Sequence, residues 1–242
     1  MIKIGIVAGR SIEPNRPFLN TTAIVDNYVK IVDELNALPI GVVFPDGVFK
    51  EEYITEYDGF ILTGGTFVRP HHLGVIHYAI THNKPILGIC LGLQALGTYT
   101  WVCNELKKQE IEISYGNLIN FFGPIHENEE LYLEKINGHD LEETFYTESI
   151  PNSQHPIYLE KDSIIYNIYK EDIIYEPSIH KWALKDIYAD FKVTGKSPDG
   201  YIEVIEHTNK DIFALGVQFH PELEDKNKKL FIYFMNEINK RG

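Results

Sequence analysis

The residue with the most chemical promise is Cys90, in "PILGICLGLQALG" (85–97), where it stands between Gly88 and Gly92 at the end of an apolar run. The run reads as a strand and the following segment as a helix, so the cysteine falls on a tight turn whose flanking glycines remove Cβ atoms that would clash. A helix N-terminus beside it favours the thiolate, the form that attacks carbonyls. On the pentapeptide alone a nucleophile and a small buried hydrophobe are equally good readings. A nucleophile needs a base and an orienting acid, and "LGVQFHPELE" has His220 at the end of another apolar run, a stiff bend at Pro221, and Glu222 two residues on. Acyl transfer also needs backbone N–H donors for an oxyanion. Gly64 and Gly65 of "ILTGG" suit that, although a plain strand-to-helix turn has the same look.

These groups need a scaffold that brings distant strand ends together. "IKIGIVA" (2–8), "LPIGVVF" (38–44), "GFILTGG" (59–65) and "KPILGIC" (84–90) are continuous apolar runs of the kind found in strands covered on both faces. Between them lie helix-period segments: Ile24, Tyr28, Ile31 and Leu35 share one face in 21–35, and further helices are expected over 70–83 and 91–103. The alternation implies a doubly wound α/β fold with a mostly parallel sheet and helices on both faces. From about residue 110, "EIEISYGNLINFF", "ELYLEKI", "GYIEVIEH" and "DIFALGVQF" read as strands, and 224–240 as a closing amphipathic helix. The aromatic stretch 157–192 reads as an insertion, a helical excursion or a lid. No repeat or linker is evident, so 1–242 is expected to be one domain.

Charge and cysteine usage exclude whole classes. The net charge of −13 opposes generic attraction to nucleic acid or anionic lipid. Two cysteines without a CxxC spacing leave no disulfide framework and no structural zinc site. "MIKIGIVAG" lacks the basic region and cleavage site of a signal peptide, so a cytoplasmic protein is expected.

With "TGG" at 63–65, "GICLGLQ" at 88–94 and "GVQFHPE" at 216–222, in that order, the chain resembles a class I glutamine amidotransferase domain. Within that superfamily it most resembles the γ-glutamyl-γ-aminobutyrate hydrolase type, peptidase C26. The resemblance implies a flavodoxin-like fold with an added β-hairpin region. It makes Cys90 the nucleophile, His220 the general base and Glu222 its orienting acid. The backbone amides of Gly65 and Leu91 form the oxyanion hole, and Gln94 holds the glutamyl end. "NSQH" (152–155) and "SPDGYIEVIEH" (197–207) resemble hydrolase segments, which makes Asn152, Ser153 and His155 substrate-side contacts. Three features depart from the hydrolases. Leu91 replaces the usual arginine, Phe67 replaces an aspartate, and "ALGTYTW" replaces the Asn and Gly-Gly-Thr stretch after the nucleophile.

The implied reaction is cleavage of a small γ-glutamyl amine to glutamate and amine through a thioester on Cys90, calling for neither a metal nor an organic cofactor. A second expectation is a glutaminase subunit passing ammonia to a separate synthetase, which Leu91 favours. A third, of another class, is a binding or regulatory module that kept the fold and lost catalysis. A homodimer is compatible with all three. Related cysteine hydrolases with a histidine directly after the nucleophile do not fit Leu91. His71, His72, His77 and His82 read as a solvated helix surface, and Arg10 and Arg69 as receivers of a substrate carboxylate.

Overall fold

The five strands β1 (Lys3–Val7), β4 (Leu38–Val42), β5 (Gly59–Leu62), β6 (Ile86–Ile89) and β13 (Ala214–Val217) pair in parallel in the order β4-β1-β5-β6-β13. Taken by appearance in the chain this is 2-1-3-4-5, the flavodoxin-like doubly wound order. The structure, a computed structural model, describes residues 1–11, 15, 20–140, 153–188 and 190–241. The two short strands β2 (Gly9–Ser11) and β3 (Thr21–Ala23) form a separate hairpin. Strands β5, β6 and β13 are buried along their whole length, because helices cover both sides and no polar face is needed.

Two apolar layers account for that burial. On one side α2 (Pro70–Thr81), α3 (Leu91–Lys108) and α4 (Tyr115–Phe122) bury Leu73, Ile76, Leu93, Leu96, Leu118 and Phe122. On the other, α1 (Asp26–Glu34), α5 (Ile164–Tyr169) and α6 (Lys228–Asn239) bury Tyr28, Val32, Ile165, Phe231 and Phe234. Each large apolar side chain removed from water contributes about 1.5–3 kcal/mol.

The second half extends the sheet further than a hairpin. Strands β12 (Ile202–His207), β11 (Phe191–Lys196), β8 (Gln154–Leu159) and β9 (Ile173–Pro177) continue it beyond β13, each antiparallel to its neighbour. Most of the aromatic stretch 157–192 is therefore sheet and covering helix: α5 carries Tyr169, whose hydroxyl donates to Asn227 Oδ1 at 2.8 Å. Only its later part turns toward the strand ends, where β10 (Trp182–Leu184) pairs with β7 (Leu133–Lys135).

The sequence reading of 110–122 as a strand is corrected. Residues 115–122 are helix α4, capped by Ser114 Oγ, which accepts from the Asn117 N–H. The alternation of "EIEIS" ends at residue 114, and the i, i+4 pair Leu118 and Phe122 then packs inward at helical spacing. The first helix also begins later than its pattern suggested, because β-branched Thr21 and Thr22 pair in β3.

Candidate active site

Three parallel neighbours, β5, β6 and β13, deliver the key residues to one end of the sheet. Gly88 of β6 sits level with Leu62 of β5 and Gly216 of β13, so the loops after all three strands open side by side. Cys90 joins β6 to α3 with φ 53° and ψ −105°, backbone angles that a side chain rarely adopts. Its N–H donates to Val217 O at 2.8 Å, tying the turn to β13. The flanking glycines are close-approach positions. A Cβ on Gly88 would lie 2.5 Å from Gly92 O, and one on Gly92 would collide with Leu62 O. The chain can turn this sharply only without those side chains.

His220 follows β13 and hydrogen-bonds through Nδ1 to Glu222 Oε1 at 2.7 Å. Pro221 opens a short 3₁₀ turn that folds Glu222 back onto the ring, and the carboxylate is buried there. The imidazole also lies on the same side of Gly64 as Cys90, the two side chains crowding one position there. Burial opposes the charged imidazolium, yet the Glu222 carboxylate and the Cys90 sulfur hold His220 well above its ordinary pKa.

Tyr28 was legible in the sequence only as one residue of an apolar helix face. Its side chain is buried, and its hydroxyl accepts from the Gly64 N–H at 3.2 Å. Burial, followed by the nearby Glu222 carboxylate, keeps the phenol protonated far above its usual range. Gly64 is crowded on all sides: a Cβ there would lie 3.0 Å from His220 Cε1 and 3.7 Å from Cys90 Cβ. Gly65 lies against Leu91, so the two residues meet beside Cys90. Leu91 opens α3, where the first N–H groups have no acceptor within the helix.

A cavity of about 520 Å³ opens over the sulfur, lined by Gly65, Thr66, Phe67, Cys90, Gln94, Glu129, Asp140, Ile179, His180, Lys181 and Trp182. Gln94 is held by donating from Nε2 to Trp182 O at 2.9 Å and to Gln218 Oε1 at 3.3 Å. Lys181 pairs with Asp140 at 3.0 Å at the rim. Burial raises the Glu129 carboxyl above the usual range, against the pull of Arg69.

Other expected site residues fall elsewhere. Asn152 lies outside the described residues. Ser153 is buried, and His155 packs beside His139 and His180 rather than lining the Cys90 cavity. The solvated surface expected of the α2 histidines is corrected for two of them: His71 and His72 are buried where α2 packs on the sheet. There His72 Nδ1 accepts from the Arg69 N–H at 2.9 Å, and burial pushes the His71 imidazole down to about 4. Arg10 pairs with Asp46 and Arg69 with Glu127, each at 3.5 Å, around a separate cavity that includes Tyr115.

The family model for Peptidase C26 matches residues 73–222. Protein NtpR of Enterococcus hirae is 24% identical over 97% of this chain and 98% of its own length. The CTP synthase of Picosynechococcus sp. is 28% identical over 78% of this chain, which spans about a third of that relative (34%). Among solved structures, the glutaminase domain of Trypanosoma brucei CTPS with bound acivicin superposes with a TM-score of 0.68 at 17% identity, covering 99% of this chain and 94% of that one. The fold is that of class I glutamine amidotransferase domains, and the chain belongs to the peptidase C26 family of hydrolases.

Proposed function

We propose that residues 1–242 form one catalytic unit that cleaves the γ-glutamyl amide bond of a small γ-glutamyl amine through a thioester on Cys90. The observation that carries this reading is the Cys90, His220, Glu222 chain of contacts on a backbone-strained turn, at the mouth of a cavity sized for a small molecule. The Cys90 thiolate attacks the δ-carbonyl, and the carbonyl electron pair moves onto oxygen, where the Gly65 and Leu91 N–H groups receive it. Collapse of this intermediate breaks the C–N bond as His220 Nε2 gives its proton to the departing amine. A water then attacks the thioester carbon while His220 takes its proton, and glutamate leaves with the thiolate restored. Glu222 keeps Nδ1 of His220 protonated throughout, so Nε2 is the nitrogen that exchanges protons. Glu129 and Asp140 in the cavity suit the substrate's ammonium group, and Lys181 its carboxylate. None of these steps draws on a metal or organic cofactor. A reducing, cytoplasmic setting suits the free thiols of Cys90 and Cys103, and among the described residues no helix is long and apolar enough to cross a membrane.

The test is glutamate release from a panel of γ-glutamyl amides, glutamine included. Cys90→Ala should abolish turnover, and unaltered turnover would end this account. A second reading, ammonia delivery to a separate synthetase, is favoured by Leu91 and by the likeness to CTP synthases. Glutamine hydrolysis that is weak alone and rises on adding a co-purifying partner would select it.

A further inference from the structure

Away from the nucleophile, four residues from four separate segments converge. His139 lies between β7 and β8, His155 in β8, His180 between β9 and β10, and Glu203 in β12; one donor atom of each lies within 4.8 Å of the others. Glu203 is fully buried at 0% exposure, and His139 and His180 are nearly so. Neither Glu203 oxygen nor His155 Nε2 has a hydrogen-bond partner among the described residues. A buried carboxylate in that condition carries a large desolvation penalty unless a cation compensates it.

The outer hydrogen bonds determine which ring nitrogens face the centre. His180 Nδ1 is 3.0 Å from Trp182 O, a carbonyl that can only accept, so Nδ1 carries the proton and Nε2 presents its lone pair inward. His139 Nε2 is 3.0 Å from Asp199 Oδ2, which leaves Nδ1 inward by the same argument. The two inward nitrogens lie 3.2 Å apart, and 3.4 and 3.5 Å from Glu203 Oε1, while His155 Nε2 is 3.6 Å from Glu203 Oε2. The His139 and His180 nitrogens share a hydrogen bond, so a proton sits between them in the metal-free chain, and a metal ion would take the place of that proton. A tetrahedral ion with bonds of about 2.0–2.1 Å has ligand-to-ligand edges of about 3.4 Å, close to the three separations among His139, His180 and Glu203 Oε1, with His155 nearest the other carboxylate oxygen and the group as a whole within 4.8 Å. Histidines whose outer N–H groups bond a carboxylate and a backbone carbonyl match the outer shell that orients metal-binding imidazoles.

We propose that His139, His155, His180 and Glu203 bind a divalent transition-metal ion of the zinc class. Three imidazoles and one carboxylate suit zinc, cobalt or nickel over magnesium or calcium, which take oxygen ligands. The site shares a wall with the Cys90 cavity, because the Trp182 carbonyl that orients His180 also accepts from Gln94 Nε2. The ion would thereby fix the strand that holds Gln94 in place.

The test uses the full chain, stripped with a chelator and dialysed against Zn²⁺ or Co²⁺. One equivalent of metal is expected, and the Co²⁺ form should show the visible bands of a four-coordinate site without a thiolate charge-transfer band. Glu203→Gln should lose stoichiometric binding, and Asp199→Asn should weaken it by about 10–100-fold. Cys90→Ser should keep the full equivalent. The proposal is overturned if the wild-type chain takes up no metal at micromolar free concentration, or if a thiolate band appears and Cys90→Ser abolishes binding. Should Glu203→Gln not fold, the Asp199→Asn affinity and the wild-type Co²⁺ spectrum decide: an unchanged affinity in that variant also overturns it.

Discussion

Replacing Tyr28 with phenylalanine removes one oxygen from a buried site and leaves the ring in place. The lost atom accepts from the Gly64 N–H at 3.2 Å, so the variant buries that donor without a partner. A buried polar group left unsatisfied costs about 1–3 kcal/mol. Taking about 2 kcal/mol, and about 2–4 °C per kcal/mol for a chain of this size, the melting temperature should fall by about 4–8 °C. The effect on catalysis follows from geometry: anchoring the Gly64 N–H limits rotation of the peptide that carries the Gly65 N–H. Removing one oxyanion donor outright costs about 100–1,000-fold in kcat. A donor released from its anchor but still present should cost about 10–100-fold, with KM within about threefold because the cavity walls are unchanged. Steady-state glutamate release and a thermal melt on the same preparation measure both quantities. If the melting temperature falls as calculated while kcat stays within twofold of wild type, Tyr28 is a core residue only and the positioning argument is refuted.

Three more outcomes follow from the turn and the imidazole. Cys90→Gly and Cys90→Ala both lack the thiol, but only glycine accepts φ 53° without strain, so the glycine variant should be about 1–2 kcal/mol more stable in denaturant melts. The raised pKa of His220, held up by Glu222 and Cys90 against burial, contributes stability that is complete below the unfolded value of about 6.5 and fades as pH rises through the folded value. In Glu222→Gln that slope of stability against pH should flatten, as melting temperatures across pH 5–9 or so would show, and glutamate release should fall by about 10⁴-fold, as when a triad carboxylate is made an amide. Gly92→Ala should lose both stability and activity, since the new methyl meets the Leu62 carbonyl at the start of α3; a fold and turnover like wild type would contradict the close-approach reading of that glycine.

The features legible in the sequence were those with local signatures. Strands β5 and β6 are apolar throughout, and β1 beyond Lys3, because both faces are covered, and Gly88 and Gly92 flank Cys90 on a turn whose crowding admits no side chain at either glycine. What escaped was assembled by tertiary contact. Tyr28 sits at an apolar position of α1, and nothing in its neighbours reveals that its hydroxyl reaches Gly64. The four members of the histidine cluster come from separated segments with no shared spacing, whereas the histidines crowded into 71–82 looked like a group and are spread around a helix, two inward and His82 outward. Helix α4 was hidden by the alternating "EIEIS" ahead of it, which shows period two for the few residues where periodicity is hardest to judge.

The register of β6 against β13 has an evolutionary consequence. Cys90 and His220 are separated by more than half the chain, yet their spacing is fixed by adjacent rungs of one ladder, ending in the bond from the Cys90 N–H to Val217 O. Loops between the two can be lengthened, shortened or rewritten without disturbing that pair, provided the rungs and the close approach at Gly92 hold. Of the segments that line the cavity, those around Glu129, Asp140 and 179–182 belong to this interval, while Gly65, Thr66 and Phe67 precede it. The pair on the rungs can therefore be inherited unchanged while this part of the cavity's lining diverges.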